Sequence, residues 1–344
     1  MPARLKDIAR DLSVSVGTVS KVLRDHPDIS AETRKRVLQR MSEVDYRPNL
    51  AARALVTGRS CIVGLVVPDL VHPFFGQVAK ALSRVLRKKG YSLVLSSSED
   101  DPELELQEID QLLTRRVDAL ILASAQRATG GFRRIAEHKT PFILVDRRFA
   151  GFAANFVGVD DSEVGSLVTT HLLDVGCRRI AHIGGPQVST AIGRAEGFRQ
   201  AMAARGHAVL PEYVIMREHG DDAGEAIGYT AMKQLLRSNA HPDGVFCYND
   251  PTAMGAMKAA LEAGLRIPED VAIAGCGNVT YADFLRVPLT SVDQQSESIG
   301  EQAAKMALQL LSKKTTARPR QVLLEPKLIV RASTRRPQPH LDKI

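Results

Sequence analysis

From Cys61 to Gly275 the chain repeats one cycle, an unbroken apolar run followed by an amphipathic stretch, and that cycle leaves few folds open. Apolar runs without polar alternation read as strands buried on both faces, which is the environment of a parallel sheet covered by helices. Residues 61–67 (CIVGLVV) form such a run, followed by a helical pattern over 74–89 and a strand over 91–96. Runs at 117–123 and 141–146 are further buried strands. After the run at 156–160 the cycle restarts, with a helix over 162–175, a strand over 179–183 and a helix over 193–205. It continues through strand 244–247, helix 251–263 and strand 271–275. The restart near 160 predicts two similar α/β lobes, and small molecules bind such sheets at the carboxyl ends of the strands.

The first 60 residues are of a different kind. Ile8, Ala9 and Leu12 share one face at helical spacing, and Ser13, Val14 and Ser15 interrupt the pattern. Ser15 is placed to cap a second helix in which Val19, Val22 and Leu23 face inward. Val16, Gly17, Thr18, Ser20 and Lys21 are then left on its outer, N-terminal side. There a recognition helix meets base edges in the major groove, while hydroxyls and lysines reach phosphates. Any small helical hairpin with a polar face gives the same pattern, so charge distribution carries weight. Residues 1–60 hold 12 Lys and Arg against 7 Asp and Glu, a net of +5, while the whole chain is +7 and the other 284 residues carry only +2. Positive charge concentrated on the motif is the footprint of a DNA-binding head.

A third basic helix follows, and then a short Ala-rich segment. Pro48 blocks continuation of the preceding helix, Asn49 is a cap, and Thr57-Gly58 closes residues 50–56. A helix of about seven residues falls below the ~12–15 needed for stability alone in water, so it is expected to fold only against a partner.

Leu5-Lys6-Asp7-Ile8-Ala9, Val14-Ser15 with Thr18-Val19-Ser20, Ser30 with Thr33 and Val37, Tyr46-Arg47-Pro48-Asn49 and residues 51–55 together make a wider pattern. It closely resembles the lactose-repressor (LacI/GalR) family of bacterial transcription regulators, and the resemblance continues to about residue 334. Arg24 departs from it, since the family usually carries Asn there. The resemblance implies an all-α helix-turn-helix head over 1–46 and a hinge helix and linker over 47–60. These join a two-lobed, periplasmic-binding-protein-like α/β core of parallel sheets over 61–334, followed by a tail over 335–344. One lobe is expected over 61–160 and 292–321, the other over 161–291 and 322–334. By the same resemblance Tyr46, Arg47 and Asn49 belong to the DNA-binding surface. Leu55 becomes an apolar wedge in the minor groove, where unstacking a base step is offset by added contact. The implied partners are a palindromic double-stranded DNA operator, a second copy of the chain and a small-molecule effector in the cleft, with repression as the output.

Strand ends supply the effector candidates. Phe74 and Phe75 follow the first strand, where one aromatic can stack on a ligand while the other packs under the helix. Asp146-Arg147 ends the fourth strand, and Arg194 precedes Gly197-Phe198 in the family's RxxGF pattern. Asn249 is the expected ligand residue of the pair Asn249-Asp250, because Asp250 followed by Pro251 reads as a cap with proline at N1. Gly275-Cys276-Gly277-Asn278 departs from the family's G-x-D, so a carboxylate is missing at Gly277 and Asn278 becomes a candidate. One fewer carboxylate facing Arg147 and Arg194 predicts an acidic or phosphorylated effector, which Arg binds bidentately.

Other classes fit less well. A solute-binding protein shares such a core but needs an export signal, and MPARLKDIAR has no apolar region of that kind, which makes the cytoplasm the expected compartment. No apolar run reaches membrane-spanning length. The four cysteines, 61, 177, 247 and 276, lack CxxC spacing and read as reduced core thiols, and no HExxH or paired histidine spacing suggests a metal. The glycines near 184 and 275 complete no nucleotide-binding pattern, so neither a sugar-processing enzyme nor a cofactor is expected. The tail after 335 has no heptads for a tetramerising coil.

Overall fold

The computed structural model describes residues 4–23, 26–46, 58–216, 224–238, 241–312 and 318–336. The chain divides into two units, residues 1–60 and 61–344. In the first unit, α1 (Leu5–Asp11), α2 (Val16–Leu23) and α3 (Ala31–Glu43) bury Ile8, Ala9, Val19, Val22, Val37 and Met41 in one small core. Ser13 turns the chain in the left-handed region (φ 53°), and Ser15 Oγ accepts the Thr18 N–H at 2.9 Å, which caps α2 as its sequence suggests. Ser30 caps α3 in the same way.

The second unit holds two sheets. Strands β1 (Ile62–Val67), β2 (Ser92–Ser97), β3 (Ala119–Leu122), β4 (Phe142–Val145) and β5 (Asn155–Val159) pair in the order β5-β4-β3-β1-β2, all parallel. Strands β6 (Ile180–Ile183), β7 (Val214–Ile215), β8 (Gly244–Cys247), β9 (Ala272–Cys276) and β10 (Thr290–Asp293) repeat that order as β10-β9-β8-β6-β7, again parallel. Strand β11 (Gln321–Leu324) extends the first sheet beside β5, and β12 (Lys327–Ile329) extends the second antiparallel to β10. The chain therefore passes between lobes after β5, after β10 and between β11 and β12. The sequence-derived limits at 291 and 321 fall inside β10 and at the first residue of β11, so the observed crossings lie a few residues later.

Helices cover both faces of each sheet. In the first lobe α4 (Pro73–Arg87) and α11 (Ser296–Ser312) bury Val78, Leu82, Ile299 and Ala303 on one face. On the other, α5 (Pro102–Thr114) and α6 (Arg133–Glu137) bury Ile109, Leu112 and Ile135. In the second lobe α7 (Asp161–Asp174) and α8 (Ser189–Ala204) lie on one face, and α9 (Gly224–Leu235) and α10 (Asp250–Glu262) on the other.

The two helix pairs of the second lobe touch through glycine. A Cβ at Gly197 would overlap the Ser162 carbonyl oxygen, and one at Gly165 the Arg194 carbonyl. Gly255 and Gly228 stand in the same relation to the carbonyls of Glu225 and Thr252. Backbone cannot yield as a flexible side chain does, so Gly197→Ala and Gly255→Ala are each expected to destabilise the core by about 1–3 kcal/mol. A wild-type urea midpoint in either variant contradicts this packing account.

His182 on β6 is fully buried, 4.6 Å from the Phe246 ring and 5.5 Å from the Phe198 ring, and its Nδ1 donates to the Phe246 carbonyl at 3.0 Å. Burial pushes its pKa down from 6.5 to about 4, so the folded chain keeps it neutral where the unfolded chain would take a proton. Stability present above pH 6.5 is therefore lost as pH falls toward 4, by about 3 kcal/mol at roughly 1.4 kcal/mol per unit. The variant His182→Phe should flatten the stability profile in that window; an unchanged acid slope assigns the sensitivity elsewhere.

Candidate functional site

In both sheets the order of strands reverses beside the first strand, between β1 and β3 and between β6 and β8. A ligand crevice forms outside the carboxyl ends at such a point, because the connections on either side leave in opposite directions. One cavity of about 410 Å³ lies there, lined from both lobes by residues that follow β1, β4, β6 and β8 and by Cys276 at the end of β9. Phe74, Phe75, Asp146, Arg147, Arg194 and Asn249 all line it.

Arg194 reaches it from α8 at only 3% exposure. Its Nε donates to Asp161 Oδ1 at 3.0 Å, a terminal nitrogen donates to the Tyr248 carbonyl at 2.7 Å, and the guanidinium lies 4.7 Å from the Tyr248 ring centroid. Burial works against both charges of the pair and pushes the Asp161 pKa up, while Arg194 pulls against that rise. The Tyr248 hydroxyl shares a 2.7 Å hydrogen bond with Thr190.

Asp146 follows β4 in the left-handed region (φ 63°), a conformation Asp tolerates better than most residues. The break in strand alternation lets both Asp146 and Arg147 line the cavity. Asp146 accepts from Gln294 Nε2 at 3.3 Å. Arg147 donates to Asp100 Oδ1 at 2.6 Å and to the Ser124 carbonyl at 3.3 Å. Burial opposes the Arg147 charge, and Asp100, Tyr248 and Asp146 together more than offset it.

Several expectations need correction. Asn249, not Asp250, caps α10: its Oδ1 accepts from the Thr252 N–H at 2.9 Å and the Thr252 hydroxyl at 2.7 Å. Asp250 is the first helical residue, fully buried, and accepts from the Ser291 hydroxyl at 2.6 Å and the Val279 N–H at 2.8 Å. It pins the turn after β9, and burial pushes its carboxyl up to about 6 against those hydrogen bonds. Asn278 is not among the cavity residues, and its Oδ1 accepts from Arg331 at 2.8 Å. Phe74 and Phe75 line the cavity as the sequence places them, and they also meet edge to face at 5.1 Å and belong to the core. The charge argument also reverses. Among the described residues the cavity is lined by Asp69, Glu99, Asp100, Asp146 and Glu225 against two guanidiniums, each already paired with a carboxylate.

Sequence reasoning missed His72, Tyr248 and Gln294 in the lining. The dipeptide His72-Pro73 is a legible signal, a cap followed by proline at the first helical position. The partners Asp100 and Asp161 carry no local signal, lying 47 and 33 residues from their arginines.

On the head, Ser15, Val16, Gly17 and Lys21 are exposed along the start of α2, with Thr18 and Ser20 half-buried. Thr18 and Ser15 share a 2.9 Å hydroxyl contact, and Lys21 Nζ lies 3.6 Å from Asp28. Such an exposed pair is worth little and leaves the ammonium available to phosphate or base. Tyr46 packs against the head core, which raises its hydroxyl pKa, so its first role is packing. Arg47, Asn49 and Leu55, with Arg24, lie outside the described residues.

Residues 4–49 match the family model described as bacterial regulatory proteins, lacI family, and residues 169–334 match the periplasmic binding protein-like domain. The chain is 30% identical over 335 residues to the HTH-type transcriptional repressor PurR of Pasteurella multocida, covering 97% of this chain and 99% of that one. It is 32% identical over 332 residues to the ribose operon repressor of Halalkalibacterium halodurans, covering 96% and 97%. The chain belongs to the LacI family. This LacI-family protein is a DNA-binding transcriptional regulator under the control of a small-molecule effector, with a helix-turn-helix head and a two-lobed α/β core. The solved complex of the transcriptional regulator CelR with cellobiose has the same fold, with a TM-score of 0.73 at 28% identity over 96% of this chain and 99% of that one. No described helix of the LacI-family chain is long and apolar enough to cross a membrane.

Removing one member of a buried pair strands the other charge, at a cost of about 3–5 kcal/mol. Arg194→Gln should therefore lower core stability by about that much, and adding Asp161→Asn should recover part of it. A double variant no more stable than Arg194→Gln alone excludes this account of the pair.

Proposed function

We propose that the protein is a homodimeric, cytoplasmic repressor that binds a palindromic operator and changes its grip when an uncharged, polyhydroxylated effector closes the cleft. It acts as a regulator and not as an enzyme. The observation that carries the effector class is the cleft's charge pattern: both guanidiniums are committed to Asp100 and Asp161, and further carboxylates line the wall. An anion there meets guanidiniums whose charge is already offset by Asp100 and Asp161, with Asp146 and Glu225 in the same lining, and both features disfavour it. Sugar hydroxyls suit the same groups, donating to Asp146 and accepting from guanidinium and amide nitrogens.

The dimer is supported by exposed apolar side chains outside the cavity lining, Phe284 at 83% on one lobe and Leu70 at 47% on the other. Side chains of that size and exposure suit a covered surface better than water. Two heads on a two-fold axis read half-sites about one helical turn, ~34–36 Å, apart. In that arrangement Val16, Gly17 and Lys21 face base edges, the hydroxyls of Ser15, Thr18 and Ser20 serve the backbone, and Arg47, Asn49 and Leu55 act where the hinge meets the minor groove.

Calorimetric titration with ribose, cellobiose and glucose, each beside its acid or phosphate form, tests the effector class. At least one neutral sugar should bind, about tenfold or more tighter than its charged counterpart; tighter binding of the charged forms overturns the reading. On the DNA side, Lys21→Ala should change base preference at particular half-site positions. A uniform loss of affinity with preference unchanged restricts Lys21 to phosphate.

A further inference from the structure

Two helix caps meet across the cleft. His72 precedes α4 in the first lobe, and its Nδ1 accepts the Phe74 N–H at 3.3 Å. Asn249 precedes α10 in the second lobe, and its Oδ1 is taken by the Thr252 N–H and hydroxyl. With that oxygen committed, the Asn249 amide nitrogen is what faces the first lobe, and it lies 3.2 Å from His72 Nε2. Both residues line the cavity.

A neutral imidazole has one N–H and one acceptor nitrogen, and an amide nitrogen only donates. While Nδ1 accepts from Phe74, the ring proton sits on Nε2, and two donors oppose each other across the cleft. Accepting from Asn249 instead moves the proton to Nδ1, where it opposes the Phe74 N–H. Protonating the ring removes both acceptors. The α4 cap and a direct bond between the lobes thus compete for one lone pair. Burial disfavours the charged ring; Asp69 and Asp146 favour it, and Arg194 and Arg147 oppose it, with the net effect of lowering its pKa.

We propose that His72 and Asn249 form a two-donor clamp that takes one acceptor oxygen of the effector from both lobes at once, so that this oxygen is what makes lobe closure favourable. The clamp rests on the reading of the cleft as a site for a polyhydroxylated molecule and adds a requirement to it. The effector presents a hydroxyl, ether or carbonyl oxygen between α4 and α10, where it accepts from His72 Nε2–H and Asn249 Nδ2–H together. Closure without the oxygen brings donor against donor; closure around it makes two hydrogen bonds and keeps the α4 cap. That difference between states is what an effector needs in order to shift an equilibrium.

Two measurements on the full-length protein test the clamp without any ligand. In ¹H–¹⁵N spectra of histidine-labelled protein, with the His72 signals identified by their loss in His72→Asn, the ring should carry its proton on Nε2. A proton on Nδ1 overturns the proposal. Spin labels attached through non-natural residues at the exposed positions Arg133 and Lys258, one on each lobe, report closure. Asn is a favoured helix cap with a shorter side chain, so His72→Asn should fold as the wild type does, which a thermal melt verifies. Relief of the donor conflict should raise the ratio of closed to open ligand-free protein about three- to tenfold. A fall in that ratio identifies the contact as an ordinary latch, and an unchanged ratio removes the conflict; either result overturns the clamp. With ribose, glucose and cellobiose as probes, any sugar that binds should bind His72→Asn about tenfold more weakly, and undiminished binding overturns the clamp. Failure of all neutral sugars to bind wild type bears on the effector class alone, since the tautomer and the closed fraction decide the clamp without them.

Discussion

Parallel pairing is the constraint on which the core depends. When successive strands run the same way, every strand ends on the same side of its sheet, and each return must be made by a crossover that covers a face. The residues just past those ends are therefore gathered at one rim, although they lie far apart in sequence: Asp146 follows β4, and Asn249 follows β8. Repeating the same strand order in the second lobe gives that lobe a rim of the same kind. The three crossings of the chain between lobes then bring the two rims to one cavity. No residue in the cleft needs to be near another in sequence, since the topology brings them together.

That gathering also explains why charge was misread from the sequence while the fold was not. Counting the residues at strand ends finds Arg147 and Arg194 but not the carboxylates that neutralise them. Asp100 comes from the loop before α5 and Asp161 from the start of α7, and each reaches its arginine only through the tertiary fold. Desolvated guanidiniums are expensive to leave unpaired, so a buried arginine beside a cleft is expected to bring its own acid. Gly277 marks a missing carboxylate, yet Asp250, fully buried and bonded to Ser291 and Val279, already holds that turn in place.

Most of the secondary structure was legible because each strand is a continuous apolar run and each covering helix has one apolar face. The elements that escaped have identifiable reasons. Helix α5 turns Glu105 inward, where it accepts from the Ser124 hydroxyl at 2.6 Å and from the Ala125 N–H, and a buried charge spoils the apolar stripe. Helices α9 and α11 carry mid-helix glycines, Gly228 and Gly300, which lower helix propensity but are required by close approach to the backbones of Thr252 and Val78. The limits of the two lobes were displaced because β10 and β11 are four-residue strands whose sheet is chosen by long-range pairing. Ser15 shows the opposite case: a cap is decided within three residues, so the local sequence alone is enough to assign its role.

The polar contacts at the crossing after β10 indicate how a ligand in the cleft is felt beyond it. Asp146, on the cavity wall, accepts from Gln294, the first residue after β10, so a group that engages the carboxylate acts directly on a segment joining the lobes. Two residues later Ser296 donates to Gln77 Oε1 at 2.5 Å, and the amide of Gln77 donates to Thr280 of the second lobe at 3.4 Å. Helix α4 thus carries the His72 cap at its start and a link to the crossing one turn later, and α11 packs along it through Gly300 against the backbone of Val78. Where Gly300 approaches the backbone of Val78 on that path, no flexible side chain lies between α4 and α11 to absorb a change in lobe angle. It must instead appear as a shift of α4 and α11 together, the kind of rigid displacement by which a small change at an effector site becomes a discrete change of state.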